Sequence, residues 1–474
     1  MTCAADGPHR IAAVSGRSVF ARWGRVVLSG LAAVLAGCVA VPPQPAREVD
    51  LPGQWRGATD APAVDLRDWW QGFHDATLNR LIAAALDDNL SIAEAGYRWR
   101  AARAQAGASD ARFRPAVALN ALPSANVEST ASYFQVGFDA TWELGLFGRA
   151  RSEKASAHAD LVLAEDDTTA ARLVVIAEVA RHYVELRAAQ ARVVAQTQRI
   201  EQGKGVVARA VRAEQLGLGS TLDSEKARAD LSLEEARIET LRHQPEQQAQ
   251  ALAQLLGRTE LDTSLLEPGP IPDIPETTPA PPPADLLRTR PEIRHAEAEV
   301  AKATAELGIA QAELMPQIGL GGTLTYASKI NGDQLLSPRS IVSIGPSVSI
   351  PLFDWGLRRA SALAHGERLS AAVIRYRQAV VDGAAEVQTA LSNLAAARAR
   401  LGVLDAAAAR SKTAVDQADR LRELGLADAS SRAIAERSLG EVQAERIDAQ
   451  AAANLALIAL YKSLGGALPQ EPAP

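Results

Sequence analysis

The spacing of apolar positions predicts that most of this chain is helical. Apolar residues recur every three or four positions from about Thr77 to Pro115 and, over a much longer stretch, from about Gly148 to Gln215. A helix of about 67 residues would be roughly 100 Å long, so it must pack lengthwise against neighbouring helices rather than surround a globular core. Two coiled-coil-like stripes share one spacing: Leu173, Ile176, Val179, Tyr183 and Leu186, and then Val381, Ala384, Val387, Leu391 and Leu394.

Segments with a period of two lie between the helical stretches and predict β-strands. They run from Tyr133 to Leu144, from Gln317 to Tyr326 and from Ser340 to Ile350. One parity is apolar and the other is small or polar, as in Phe134, Val136 and Phe138 against Gln135, Gly137 and Asp139, and in Ile318, Leu320, Leu324 and Tyr326 against Gln317, Gly319, Thr323 and Thr325. The pattern suits outer-membrane strands and soluble hairpins equally well. Because four strands leave open edges, strands from several subunits would have to close a barrel together.

The chain is an internal duplication. Three pairs of motifs are offset by 208 residues, namely Glu178-Val179 with Glu386-Val387, Leu216-Gly217-Leu218 with Leu424-Gly425-Leu426, and Leu256-Gly257 with Leu464-Gly465. Before the β segments the offset is 201, as Ile92 with Ile293 and Pro115 with Pro316 show. The second β segment is therefore longer, and both repeats are expected to have the same order of elements.

The N-terminus has the pattern of an export signal. Arg17, Arg22 and Arg25 precede an apolar core from Val26 to Leu35, which is too short to span a bilayer as a permanent helix. The following Leu35-Ala36-Gly37-Cys38 resembles the bacterial lipobox, in which the cysteine becomes the lipidated first residue of the mature protein. The alternative is a chance cysteine beside an ordinary cleavage site. Val39 stands where an aspartate would favour the inner membrane, so the resemblance implies the outer membrane.

These features divide the chain into six predicted parts. Residues 1–37 are the signal peptide, 38–66 a lipidated tether, 67–265 the first repeat, 266–284 a proline-rich linker, 285–466 the second repeat and 467–474 a C-terminal tail. The density of proline excludes a helix in the linker.

Composition and motifs argue against an enzyme or a nucleic-acid binder. The net charge is −6, and the aromatic content of 4% within 47% hydrophobic residues favours Ala-rich helices. The chain lacks H-E-x-x-H, Walker and G-x-S-x-G motifs, so we expect no metal and no cofactor beyond a covalent lipid on Cys38. The acidic runs Glu165-Asp166-Asp167 and Asp87-Asp88 are expected to be solvated helix charges, and Trp69-Trp70 is expected to be an apolar staple for the N-terminal segment.

Three motifs resemble the TolC-type outer-membrane efflux ducts, and more narrowly their lipidated NodT-like branch. They are Trp69-Trp70-Gln71-Gly72-Phe73-His74-Asp75 with Leu78, Leu81, Ile82, Leu86 and Asn89 after it, Leu144-Gly145-Leu146-Phe147-Gly148, and Pro351-Leu352-Phe353-Asp354-Trp355-Gly356. The resemblance implies a mainly α fold with a β-barrel portion. It also implies a homotrimer in the outer membrane, in which four strands per chain close a twelve-stranded barrel and the helices form a periplasmic tunnel.

The resemblance also implies a function and partners. Such a duct exports drugs or toxic compounds in a tripartite system with an adaptor protein and an inner-membrane pump, here of the RND type. Two rival hypotheses remain at this point. One is a non-porous, lipid-anchored periplasmic coiled-coil protein, and the other is a lipoprotein enzyme with a spatially assembled site.

Two glycine turns are the candidate adaptor contacts. They are Leu216-Gly217-Leu218-Gly219-Ser220 and Leu424-Gly425-Leu426-Ala427-Asp428, where glycine permits the left-handed turn that reverses the chain. Ser220 and Asp428 are expected to cap the returning helices. The resemblance places these turns at the periplasmic mouth, with exposed leucines facing the adaptor. Asp223 matches an acidic position of relatives but Ser431 does not, so we assign no ion-selectivity residues.

Overall fold

The computed structural model describes residues 51–56, 66, 68–124, 133–275, 283–285, 289–329, 339–426 and 429–466. The predicted signal peptide, Cys38 and the C-terminal tail lie outside these residues, as does Asp428. The α-helices within them are α1 (Ala76–Asp88), α2 (Leu90–Ala108), α3 (Arg149–Gln215), α4 (Thr221–Arg242), α5 (Gln244–Leu255), α6 (Pro291–Ala312), α7 (Leu357–Glu423) and α8 (Ala429–Ser463). The strands are β1 (Ala116–Ser124), β2 (Tyr133–Glu143), β3 (Gln317–Lys329) and β4 (Arg339–Ser349).

The first predicted helical stretch is two helices because Asn89 interrupts it. Asn89 has extended backbone angles, and its side chain accepts hydrogen bonds from the amides of Ser91 and Ile92. Its side-chain amide also donates to the carbonyl of Leu255 at 2.8 Å. Asn89 therefore begins α2 and ties it to the end of α5.

The long helices confirm the duplication. Helices α3 and α7 each contain 67 residues. The residue before each helix is a glycine with positive φ, Gly148 at 85° and Gly356 at 83°, and the residue before that glycine is aromatic with φ of 55° in both repeats. The long helix of each repeat is therefore preceded by nearly the same φ angles.

The returning helices differ between the repeats. In the second repeat α8 is continuous for 35 residues, whereas in the first repeat the helix breaks at His243 and continues as α5. Pro245 lies in the first turn of α5, and the equivalent position in α8 is Ala453. Proline lacks the amide that a helix interior needs, so it accounts for the break.

The predicted apolar stripe of the first repeat is confirmed, whereas that of the second is wrong at Val381 and only half-buried at Ala384. Leu173 and the other four residues of its stripe are buried, but Val381 is 52% exposed and Val380 is buried instead. Gly466 lies close to both Leu173 and the ring of Trp69, so the end of the second repeat and the N-terminal segment come together beside Leu173. The segment equivalent to Trp69 in the second repeat is the proline-rich linker, which supplies no aromatic ring at that position.

The four strands form one antiparallel sheet in the order β1-β2-β3-β4. Its register puts the predicted apolar parities on one face, since Leu119 pairs with Phe138, Phe138 with Leu324 and Leu324 with Val342. This apolar face comprises Val117, Leu119, Val136, Phe138, Trp142, Ile318, Leu320, Leu324, Tyr326, Val342, Ile344 and Val348.

The opposite face of the sheet is polar or small, with Ile341 as an apolar member. It carries Asn120, Asp139, Thr141, Glu143, Gln317, Thr323, Thr325, Ser343, Ser347 and Ser349. One apolar and one polar face is the pattern of a strand between lipid and a watery lumen. Among the helices of the described residues, none is both long and apolar enough to cross a membrane.

The chain separates into two compact units, and each is built from both repeats. The sheet unit contains residues 110–154 and 304–365, and the helical unit contains 45–109, 155–303 and 366–474. The glycine turns, the linker and the apolar stripes all belong to the helical unit, whereas the strands and the corners that follow β2 and β4 belong to the sheet unit.

Candidate functional site

Both predicted glycine turns close in the same way. Gly217 and Gly425 each have φ of 71°, a left-handed value that favours glycine. After α3, the amide of Leu218 donates to the carbonyl of Ala213 at 2.9 Å, and after α7 the amide of Leu426 donates to the carbonyl of Leu421 at the same distance. These six-residue closures satisfy the last carbonyls of each long helix.

The four predicted leucines of the turns are exposed. Their exposed fractions lie between 55% and 81%, for Leu216, Leu218, Leu424 and Leu426. A turn requires the glycine but does not require a large apolar side chain on each side of it. Two closely spaced apolar groups at each turn are therefore available for contact with another surface.

The cap predicted at Ser220 is present, and its partner is Asp223. The Ser220 hydroxyl accepts a hydrogen bond from the Asp223 amide, and the Asp223 carboxylate accepts one from the Ser220 amide, both at 3.2 Å. Hydrogen bonds from the Ser220 side chain and backbone lower the pKa of Asp223. Asp223 thus has a structural role in starting α4.

A set of buried and half-buried polar side chains, which the sequence analysis missed, fixes the chain around the start of the proline-rich linker. Arg187 donates to the carbonyl of Glu267 at 2.9 Å, and Gln190, one turn away on α3, donates to the carbonyl of Leu265 at 2.7 Å. From the second repeat, Asn454 donates to the carbonyl of Pro272 at 2.9 Å and Arg398 to that of Pro275 at 2.6 Å. Linker carbonyls without a helix or sheet partner are therefore satisfied by both repeats. The sequence signal that could have revealed this set is the pair of long polar side chains, Arg187 and Gln190, three residues apart beside the apolar stripe of α3.

The aromatic staple is confirmed in the helical unit. Trp69, Trp70 and Phe73 are buried, and Trp69 stacks on Tyr461 of α8 with ring centroids 4.7 Å apart. Asp75 follows, caps α1 and accepts a hydrogen bond from the Tyr183 hydroxyl at 2.8 Å. The N-terminal segment therefore fastens the end of the second repeat to α3 of the first.

The expectation that Asp166 is a solvated charge is wrong, although Asp87 and Asp88 are exposed. Asp166 is buried where α6 packs on α3, and its carboxylate lies 2.9 Å from the guanidinium of Arg294. Burial raises the pKa of Asp166 to about 6, and Arg294 opposes the increase. The cause is the close approach of α6, which the helix pattern of α3 alone does not reveal.

Two expectations from the sequence concern the lipid on Cys38 and the lack of a metal site. Cys38 lies outside the described residues, so its lipid stays a prediction. Within the part of the chain that the structure describes, no group of three or more His, Cys, Asp or Glu side chains could hold a metal ion.

Comparisons with known proteins agree with this architecture. The sequence model of the outer membrane efflux protein family matches residues 81–258 and 283–466, one match in each repeat. Outer membrane protein OprJ of Pseudomonas aeruginosa is 29% identical over 457 residues, which cover 92% of this chain and 94% of OprJ. Nodulation protein T of Rhizobium leguminosarum bv. viciae is 29% identical over 376 residues, or 78% of each chain.

A solved structure gives the same result for the fold. The outer-membrane channel OprN superposes with a TM-score of 0.75 at 30% identity, covering 88% of this chain and 98% of OprN. Helical repeats with four β-strands, an apolar sheet face and this likeness identify an outer-membrane duct for export, of the NodT-like kind. The chain belongs to the outer membrane efflux protein family.

Proposed function

We propose that this duct works as a homotrimer whose glycine turns contact a periplasmic adaptor and whose N-terminus is held in the outer membrane by a lipid on Cys38. The adaptor joins the duct to an inner-membrane pump of the RND type, and the exported compounds are small molecules such as drugs. The helical part lies in the periplasm. Each element of the proposal has its own support and its own test.

The case for a trimer begins with helices α2 and α6, which occupy equivalent places in the two repeats. Helix α6 lies between α3 and α7, since Arg294 pairs with Asp166 of α3 and Glu299 pairs with Arg375 of α7. It is extensively buried, through Ile293, Ala296, Ala298, Val300, Ala305, Leu307, Ala310 and Ala312. Helix α2 contains no buried residue. One chain therefore leaves α2 without the cover that α6 receives.

The matching surface is on α7. The position equivalent to buried Asp166 is Ile374, which is 60% exposed, and the position equivalent to buried Leu173 is the exposed Val381. If copies of the chain follow one another as the repeats do, then α2 of one copy covers this side of α7 in the next. Strands β1 and β4 are the two edges of the sheet, and the same arrangement pairs them between copies.

The repeat symmetry specifies a crosslinking test. Ala93 is equivalent to Arg294 and Ile374 to Asp166, so cysteines at these two positions should face each other between copies. In native membranes, a short bis-maleimide should link Ala93→Cys with Ile374→Cys into covalent dimers and trimers. Neither single variant should give them, nor should Ala93→Cys combined with Val403→Cys farther along α7. Monomers only from the matched pair would contradict this arrangement.

The observation that carries the adaptor contact is the exposure of two leucines at each glycine turn, although the turn requires only the glycine. Small apolar groups at the end of a helical pair suit the apolar seam of a partner coiled coil. We expect Leu218→Asp with Leu426→Asp to abolish export while trimers still reach the outer membrane. The matched control is Leu218→Met with Leu426→Met, which keeps both apolar groups and should export normally. Wild-type drug resistance in the Asp variant, at equal surface levels, would leave these residues as a turn only.

The lipid anchor is supported by the Leu-Ala-Gly-Cys sequence and the proline-rich stretch behind it. Two or more acyl chains add a membrane attachment beyond that of the sheet. Mass spectrometry of the mature protein should find the lipid on Cys38, and Cys38→Ser should block processing. An unmodified N-terminus on the wild-type mature protein would refute the anchor.

A further inference from the structure

The two strand-to-helix corners of the sheet unit share the φ angles of their last two residues but have very different surroundings. The first corner, residues 144–148, joins β2 to α3, and the second corner, residues 350–356, joins β4 to α7. Phe147 and Trp355 occupy equivalent positions, and both have a left-handed φ of 55°. This backbone is strained for an aromatic residue, so each repeat keeps an aromatic side chain here at some energetic cost.

The first corner is covered by its own chain. A Cβ atom on Gly145 would lie 2.5 Å from the ring of Phe113, which shows how closely the segment before β1 packs on it. Arg149 closes the other side through ion pairs with Glu143 at 3.2 Å and Glu153 at 3.3 Å. The large apolar side chains of this corner are exposed to a smaller extent than those of the second corner, at 36% for Leu144 and 39% for Leu146.

The second corner replaces these covered groups with exposed apolar ones. Phe353 stands where Gly145 does, and Leu357 stands where Arg149 does. Leu352, Phe353, Trp355 and Leu357 have exposed fractions from 72% to 90%. The rings of Phe353 and Trp355 meet edge to face at 4.7 Å. Four large exposed apolar side chains within six residues are unfavourable in water and need a cover.

The position of this corner favours lipid as that cover. Val342, Ile344 and Val348 lie on the apolar face of β4, and Ile350 and Leu352 continue the same parity along the chain. A neighbouring copy that pairs with the edge of β4 lies in the plane of the sheet, whereas side chains on this face project perpendicular to it. The apolar face that meets acyl chains therefore leads directly into the exposed corner.

The charges beside the corner suit the headgroup layer. Asp354 is the acidic residue of the corner, and it is engaged by the amide of Gly356 at 3.1 Å and the guanidinium of Arg358 at 3.2 Å. Arg359 is exposed in the next position. Tryptophan beside arginine is the composition found at the membrane–water boundary, where the ring lies among the headgroups and the guanidinium meets lipid phosphate.

We infer that the second corner is the membrane-interface anchor of this chain, seated in the headgroup region of the phospholipid leaflet that faces the periplasm. Trp355 and Phe353 lie at the boundary, Leu352 enters the acyl region and Arg359 binds lipid phosphate. The first corner has no such role because its own chain covers it. The inference rests on insertion of the sheet into the membrane. Trp142, on the apolar face of β2, reports on that insertion separately from the corner.

Quenching of tryptophan fluorescence by brominated lipid tests this assignment. The purified protein is reconstituted in phosphatidylethanolamine–phosphatidylglycerol vesicles that contain lipid brominated either near the glycerol or near the methyl end of the chain. The Trp355→Phe, Trp142→Phe and Trp99→Phe variants give the contribution of each ring by difference. We expect Trp355 to be quenched, more strongly by bromine near the glycerol, and Trp142 to be quenched as well. Removing Trp99 of α2 should leave the quenchable fraction unchanged.

Each outcome has a defined meaning. Quenching of Trp142 without quenching of Trp355 would overturn the anchor. The sheet would still be inserted in the membrane, and a second copy of the chain would be the cover of the corner. Quenching of neither ring would remove sheet insertion and the anchor together. Leu352→Trp in the Trp355→Phe background is a second probe of the same surface, and it should restore the lost quenching. Failure to restore it would also count against the anchor.

Discussion

The first and second repeats of this duct share the backbone at the ends of their long helices but not the environment of those helices. Both long helices start after a glycine with φ near 85° and end at a glycine with φ of 71°. Between those points the side chains differ. Asp166 of α3 is buried, whereas Ile374, at the equivalent position of α7, is exposed. The glycines next to the ends of the long helices are present in both repeats, whereas many side chains along those helices differ with what covers them.

The difference teaches which surfaces one chain can satisfy. The first repeat is covered by α6, by the N-terminal aromatic staple and by the start of the linker, so its α3 carries buried polar groups with specific partners. In the second repeat, the side of α7 that carries Ile374 and Val381 is exposed within the described residues, and so is the corner after β4. Its exposed residues there are apolar, which is the composition of surfaces that meet another subunit or lipid.

Exchanging a proline between the repeats should have the largest effect on stability. Ala453→Pro places proline in the buried interior of α8, which should cost about 3 kcal/mol or more through a lost hydrogen bond and a steric clash. Pro245→Ala in the first repeat should change stability by less than about 1 kcal/mol, because this proline lies in the first turn of α5. The measurement is the temperature at which the proposed trimer dissociates on gels. Equal effects of the two changes would show that the break at His243 has another cause.

A charge on either face of the sheet tests whether both repeats present the same side to lipid. Leu324→Arg should cost about 2–4 kcal/mol near the bilayer midplane. Phe138→Arg in the first repeat should lower the stability by a similar amount, because Phe138 pairs with Leu324 and lies on the same face of the sheet. Thr323→Arg, on the polar face, should be tolerated. Guanidinium unfolding from vesicles measures the three variants, and a larger loss for Thr323→Arg than for Leu324→Arg would mean that the faces are reversed.

The buried Asp166 should give the first repeat a pH dependence that the second lacks. Its pKa is raised from 3.8 to about 6, so the folded protein binds this proton more tightly than the unfolded chain. Its contribution to stability is therefore present below pH about 4 and is lost as pH rises through about 6, with a size on the order of 1–3 kcal/mol. Dissociation temperatures of wild type and Asp166→Asn, compared between pH about 7 and about 5, should show the wild type gaining more on acidification. Ile374→Asn in the second repeat is the control and should add no pH dependence.

The smallest expected effect is at the cap of the first glycine turn. Ser220→Ala removes the hydroxyl that accepts from the Asp223 amide, which should cost about 1 kcal/mol of local stability. Hydrogen exchange of the first amides of α4 measures it, with Ser220→Thr as the control that keeps a hydroxyl. Unchanged hydrogen exchange in the alanine variant would show that the glycine turn, rather than the Ser220 cap, stabilises the first turn of α4.

Much of the fold follows from the sequence because its signals are local. The parity of Leu324 against Thr323 and the glycines at the turns depend only on nearby residues, and both predictions are confirmed. The burial of Asp166, the exposure of Val381 and the capture of linker carbonyls by Arg187 depend on which distant segment packs there. The same reason keeps the adaptor contacts at Leu218 and Leu426 a prediction, since exposure is visible in one chain and a partner is not.

The central claim is that several copies of this chain close one conducting duct, and single-channel recording tests it most directly. The purified protein, in the form of the proposed trimer, is added to a planar lipid bilayer and the current is recorded under voltage. The account predicts discrete conductance steps that disappear when the trimer is dissociated by heating before addition. A folded trimer that inserts into the bilayer and passes no current would contradict it.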